Sequence, residues 1–191
     1  MPIDHKRKLI FIHVPKNAGT SILVHCNMKD IGHHKWNYYA EKYPKEWKEY
    51  ISFAIVRDPI ERLISCYEYA RMQKSAWHDS NNSTIHPEYK LCAENDINSF
   101  LELICNGKIK KLFHSGWLPQ SNWFSDNGVI KVSKLISFSN LDNELESLGI
   151  YNLPLLNKSE ISDESNISEK YKKIFQTVYL DDYKIFNSLN N

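Results

Sequence analysis

Two short stretches carry residue types that can hold anions. In Pro15-Lys-Asn-Ala-Gly-Thr-Ser21, small residues let backbone N–H groups turn toward one point, and Gly19 permits close approach. Thr20 and Ser21 add hydroxyl donors, and Lys16 adds a mobile point charge. The order is not that of a Walker A loop, whose lysine directly follows the last glycine. Here Lys16 precedes Gly19 by three positions and stands at the mouth of the loop. The second stretch is Arg57-Asp58-Pro59. A guanidinium fork matches two phosphate oxygens at once, and Ser65 downstream can share that anion with Arg57.

The elements around these stretches put them where ligands bind. Leu9 to Val14 is a continuous apolar run that suits a strand buried on both faces. A helix opening at Ile22, with Thr20 or Ser21 near its N-cap, would aim its first N–H groups at the same anion. Ile51 to Val56 reads as a second buried strand, and Arg57 stands at its C-terminal end, where open α/β sheets hold ligands. Asp58 suits an N-cap and Pro59 a first helical position. Ile60, Leu63, Ile64 and Tyr67 then form one apolar helical stripe, with Ser65 on its flank. Arg62 on that helix reads as a structural ion-pairing residue. Strand, loop and helix therefore occur twice in the first 72 residues, which favours a parallel sheet with crossover helices.

Further along, Lys74 to Asn95 is polar and irregular. Asp96 caps a helix that Gly107 stops, and Val129 to Phe138 offers one or two strands. Asn140 caps a short helix ended by Gly149, and Ser168 to Leu189 reads as helical. No internal repeat is visible, so the expectation is one domain over residues 1–191.

Composition narrows the function. With 24 Lys+Arg against 23 Asp+Glu, the formal net charge of +1 excludes a polybasic nucleic-acid or membrane-surface protein, so any anion site must be local. An aromatic content of 13% argues against disorder. Cys26, Cys66, Cys92 and Cys105 show no paired spacing and read as reduced thiols. The apolar run after the basic start is too short for a signal peptide, and none approaches the ~18 residues of a membrane span. The expectation is a soluble, cytoplasmic chain with no nucleic-acid partner; its oligomeric state is open.

Phe11-Ile-His-Val-Pro-Lys-Asn-Ala-Gly-Thr-Ser-Ile22 resembles the 5′-phosphosulfate loop of carbohydrate sulfotransferases, in the branch with heparan 2-O-sulfotransferases and many bacterial homologues. Val56-Arg-Asp-Pro-Ile-Glu-Arg-Leu-Ile-Ser-Cys-Tyr67 resembles the same family's 3′-phosphate motif. Weaker similarities run nearly to the end of the chain, among them a His-Trp-x-Pro-Gln stretch matched around His114, Trp117, Pro119 and Gln120. The resemblance implies a three-layer α/β domain with a central parallel sheet and a P-loop-like first turn. It implies transfer of a sulfuryl group from 3′-phosphoadenosine 5′-phosphosulfate (PAPS) to a hydroxyl, on a carbohydrate acceptor, without a metal. Pro15, Lys16, Asn17, Ala18, Gly19, Thr20 and Ser21 would hold the 5′-phosphosulfate, with Lys16 neutralising the leaving oxygen. Arg57 and Ser65 would hold the 3′-phosphate, with Lys158 as a further candidate. A hydroxyl acceptor needs a base with a pKa near the working pH, which favours histidine. His34 matches the family histidine between the first helix and the second strand; His33 is the match after a one-residue shift, and His114 is the third candidate. His13, inside the first strand, reads as a packed residue supporting the loop. The rival readings are a kinase-like phosphotransferase and a non-catalytic nucleotide binder.

Overall fold

A computed structural model describes residues 1–72, 85–107, 112, 114–154 and 167–190. The chain opens on a two-residue strand, Ile3–Asp4 (β1), paired with Leu9–Ile12 (β2). One carboxylate closes this hairpin. Asp4 Oδ1 accepts from the Lys6 and Arg7 N–H groups at 2.9 Å each, and its Oδ2 accepts from Arg7 Nη1 at 2.6 Å. The helix Gly19–His25 (α1) starts earlier than the sequence suggests. Ala18 takes the N-cap place in a left-handed conformation, so Thr20 and Ser21 fall inside the first turn and neither is the cap. Trp36–Lys42 (α2) and Pro44–Glu49 (α3) follow, the second opening on the proline that suits a first helical position.

Next come Ile51–Val56 (β3), Pro59–Arg71 (α4), Tyr89–Glu94 (α5) and Ile97–Cys105 (α6). Asp96 caps α6 as its sequence implies, accepting from Ser99 N at 2.9 Å. A 3₁₀ turn at Ser115–Trp117 leads to the short helix Ser121–Phe124 (α7) and the hairpin Ser125–Asp126 (β4) and Val129–Ile130 (β5). Lys134–Ser137 (β6), Leu141–Glu146 (α8), Glu169–Val178 (α9) and Leu180–Asn190 (α10) complete the described elements. The single C-terminal helix expected from its aromatics is interrupted at Tyr179, whose φ of −108° and ψ of 33° are not helical.

The main sheet runs β1-β2-β3-β6. The pairs β2–β3 and β3–β6 are parallel, with Phe11 opposite Phe53 and Ile55 opposite Ile136. The edge strand β1 is antiparallel, so the expected parallel sheet is corrected to a mixed one. Two residues are too few to show a hydrophobic period, which is why β1 left no signal in the sequence.

The chain divides into two compact units. The first comprises Met1–Asp58 and the described parts of Pro119–Lys158 and Asp181–Asn191. Its core joins Leu9, Phe11, Phe53, Ile55 and Ile136 of the sheet to Ile22 and Leu23 of α1 and Leu141 and Leu145 of α8. Ile10, Ile12, Ala54 and Val56, on the opposite strand faces, are also fully buried, which accounts for the unbroken apolar runs. The second unit comprises the described parts of Pro59–Leu118 and Ser159–Leu180. It packs Tyr67 against Phe100 and Phe100 against Trp117, with ring centroids 5.3 and 4.7 Å apart. Its buried arginine, Arg62, donates from Nη1 to Leu118 O at 3.0 Å and from Nη2 to Gly116 O at 2.8 Å. The four cysteines form no disulfide, and burial pushes the Cys92 thiol up to about 12. Among the described residues no helix is long and apolar enough to cross a membrane.

Candidate functional site

The neighbouring parallel strands β2 and β3 deliver their C-terminal ends to the two candidate stretches, of which Pro15–Ser21, Arg57 and Asp58 belong to the first unit. The first turn is strained. Lys16 and Ala18 have φ of 66° and 56°, a region that costs a non-glycine residue roughly 1–3 kcal/mol. The buried side chain of Asn17 between them holds the turn. Its Nδ2 donates to Ile55 O at 2.6 Å and to Gln120 Oε1 at 2.8 Å. Its Oδ1 has no hydrogen-bond partner among the described residues. Asn17 therefore spends its amide donors on the protein and braces the loop. Around it, Pro15 and Ser21 are buried, Lys16 is half-buried and Thr20 is exposed.

Gly19 has a specific neighbour. A Cβ there would lie 1.9 Å from Nε2 and Cδ2 of His13, so the close approach that requires glycine is made by that imidazole. His13 is buried, 7% exposed, and stacks on Phe11 with centroids 5.8 Å apart. It supports the loop, but from the position just after β2, which ends at Ile12 and not at Val14 as the apolar run suggested. Its Nδ1 lies 3.8 Å from Asp30 Oδ1, which is ion-pairing distance and too long for a hydrogen bond. The His13 imidazole, joined by the Gly32 N–H and opposed by burial, holds the Asp30 carboxyl well below the usual carboxylate range.

Arg57 is fixed through its backbone. Gln120 Oε1 accepts from Arg57 N at 3.1 Å, and Gln120 Nε2 donates to Arg57 O at 2.7 Å. The guanidinium lies 4.8 Å from the centre of the Phe138 ring, and its Nη1 donates to Lys16 O at 3.5 Å. The two cation-bearing residues of the two stretches thus come together.

The neighbouring histidines differ. His33 is exposed, its ring centroid is 4.2 Å from that of His13, and its Nδ1 donates to His13 O at 2.9 Å. In the neutral ring that bond fixes the proton on Nδ1 and leaves the lone pair on Nε2. His34 is half-buried, stacks on Tyr38 at 3.9 Å and donates from Nε2 to Ile31 O at 3.0 Å. Its lone pair falls on Nδ1. His33 is thus the histidine in ring contact with the support of the first loop.

A sequence profile of the sulfotransferase family matches residues 1–187. The chain is a member of that family. No curated protein and no solved structure matches it. The mixed α/β architecture with its parallel core fits a sulfotransferase, and sulfuryl transfer is the general chemistry to which the site must answer. That chemistry builds negative charge on a leaving oxygen, so positioned cations at the site have a direct use.

Other candidates of this sulfotransferase belong to the second unit: Ser65 is buried on α4, and His114 is half-buried at the start of the 3₁₀ turn. His114 Nδ1 accepts from Gly116 N at 3.1 Å, which puts the proton of a neutral ring on Nε2. Glu88 Oε1 accepts from His114 N at 3.3 Å, and Glu88 Oε2 lies 3.4 Å from His86 Nδ1. Lys158 lies outside the described residues. Among the described residues no cluster of three or more His, Cys, Asp or Glu side chains is arranged for a metal ion. Sequence reasoning did not assign Gln120, Asp30 or Asp182 a role. Gln120 was visible only as the end of a His-Trp-x-Pro-Gln resemblance, and nothing in its own surroundings pointed to Asn17, 103 positions away.

Proposed function

We propose that this sulfotransferase moves a sulfuryl group from PAPS to a hydroxyl of a carbohydrate acceptor. The reading treats residues 1–191 as a single sulfotransferase-like domain whose first turn acts as a P-loop-like cradle. The observation that carries it is the contact of Arg57 Nη1 with Lys16 O at 3.5 Å, which gathers two cationic residues at the ends of adjacent parallel strands. A donor with phosphate groups at both ends of its ribose has a use for both.

In this reading Lys16, with the backbone and hydroxyls of Gly19, Thr20 and Ser21, takes the 5′-phosphosulfate. Arg57 takes the 3′-phosphate, and Lys158 is its further candidate partner. The acceptor oxygen attacks sulfur as the bond to the bridging oxygen breaks. The electron pair leaves with the 5′-phosphate, where Lys16 offsets the new charge. The acceptor proton goes to His33 Nε2, the lone-pair nitrogen defined by the bond from Nδ1 to His13 O. His34 and His114 become the second and third candidates. Four cysteines without a disulfide fit a reducing, cytoplasmic setting.

A thermal-shift titration tests the donor assignment, using adenosine 3′,5′-bisphosphate beside ADP and ATP with and without magnesium. A ligand at 100 times its Kd stabilises the native state by ~2.7 kcal/mol, roughly 5–10 °C for a chain this size. The expected result is a shift with the 3′-phosphorylated nucleotide that disappears in Arg57→Ala. A shift with magnesium-ATP alone would overturn the sulfuryl donor in favour of a phosphoryl one.

A further inference from the structure

The amide of Gln120 is fully buried and every polar atom of it is used on the two anion-binding stretches. Oε1 accepts from Asn17 Nδ2 at 2.8 Å and from Arg57 N at 3.1 Å, while Nε2 donates to Arg57 O at 2.7 Å. The backbone of Gln120 is itself held. Asp182, 1% exposed on α10, accepts from Gln120 N through Oδ2 at 2.7 Å and from Ser121 N through Oδ1 at 2.9 Å. One side chain therefore reaches both the strained turn at Lys16–Ala18 and the end of β3, and a buried carboxylate fixes that side chain from behind.

We propose that Gln120 is a positioning residue that sets the separation between the first-turn loop and Arg57, and that Asp182 locks it in that place. The inference rests on the donor reading above and deepens it. A ligand with two anionic ends gains from both sites only when their spacing matches its own, so a fixed separation selects for a 3′-phosphorylated donor. Nothing in the bonding of Gln120 reaches the ligand, so its effect is on geometry. Without it, Asn17 Nδ2 loses one of its two acceptors, and Arg57 N and O each lose a partner. The turn is then free to relax away from its left-handed conformation and from Arg57.

The test compares wild type with Gln120→Met, which keeps the volume and removes every bond, and with Gln120→Glu. At neutral pH the glutamate keeps both accepting bonds and loses the donation to Arg57 O. The readout is the ratio of the Kd of adenosine 5′-phosphate to that of adenosine 3′,5′-bisphosphate, measured by calorimetry. The preference for the 3′-phosphate is expected to fall about tenfold in Gln120→Met, the scale of one well-placed hydrogen bond, and by an intermediate factor in Gln120→Glu. A purely structural role would lower Tm and leave the ratio unchanged, and that result overturns the proposal. Should Gln120→Met fail to fold, an unchanged ratio in Gln120→Glu overturns it equally.

Residue-resolved amide exchange separates this proposal from the donor reading. The Arg57 amide is expected to exchange about tenfold faster in Gln120→Met, with amides of the β3 interior unchanged. If wild type shows no preference for the 3′-phosphate, the donor reading fails, and the exchange result decides the positioning role alone. Faster exchange at Arg57 supports it; unchanged exchange rejects it.

Discussion

Among the described residues two histidine–carboxylate pairs, one in each unit, are built differently. His13 and Asp30 stand 3.8 Å apart, with side chains 9% and 61% exposed. His86 and Glu88 stand 3.4 Å apart, with side chains 1% and 6% exposed. In the first pair only the imidazole is buried, against Gly19, and the carboxylate stays in water, where its charge costs little to keep. In the second both groups are enclosed, and Glu88 also holds the backbone of His114. The two arginines of the Arg57–Arg62 segment repeat the contrast. Arg57 is half-buried beside Lys16, whereas Arg62 is sealed and gives its fork to two carbonyl oxygens. In both contrasts the first-unit member keeps part of its polar surface open to water, and the second-unit member is enclosed by the chain.

The contrast breaks most visibly through Lys16. Lys16→Ala is expected to lower kcat on the order of 100–1,000-fold, the loss that follows removal of one group stabilising a developing oxyanion. Tm should move little, because the side chain is only half-buried. A large fall in Tm with unchanged kcat would put Lys16 in the structural class with Arg62. In the second unit the expectation is reversed. Arg62→Ala leaves two carbonyls without their donors and should cost about 3 kcal/mol, roughly 6–12 °C in Tm. The folded fraction should bind adenosine 3′,5′-bisphosphate as wild type does, and weaker binding by calorimetry would count against the division of roles.

The smallest effect concerns Asp30, and it has a sign. Its carboxyl is held below the ordinary range in the folded chain, so the stability it supplies is present above the unfolded pKa of about 3.9 and is lost as pH falls through the folded value. Tm of the wild type should therefore drop more steeply than that of Asp30→Asn between neutral pH and the acid end. Because the carboxylate is mostly exposed, the difference will be small. Superimposable profiles would show that the first pair is not coupled at all.

How much of this was legible follows from how far apart the interacting residues lie. The strands β2 and β3, the helix α4 and the cap at Asp96 announce themselves through apolar runs and local capping chemistry. The loop was legible too, because lysine, glycine and hydroxyls within seven residues form a compact pattern. Its start was misread: Ala18, with no capping side chain, occupies the N-cap place in a left-handed conformation that its residue type does not favour. That conformation is imposed from outside, through Asn17 and its bonds to Ile55 and Gln120. Gly19 was singled out for close approach, and the group that crowds it is the His13 imidazole. Bonds across 63 and 103 positions leave no trace in a local window, which is why Gln120 and Asp182 carried no expected role.

The bond from Asp182 to Gln120 also has a consequence for biosynthesis. The first-turn loop is synthesised well before the carboxylate behind Gln120, which belongs to α10. Strands β2 and β3 are adjacent in the sheet and can meet before residue 182 is made, but the loop between β2 and α1 acquires its final bracing only when residue 182 has emerged. A nascent chain would therefore hold a paired β2 and β3 and a first turn not yet fully braced at the same moment.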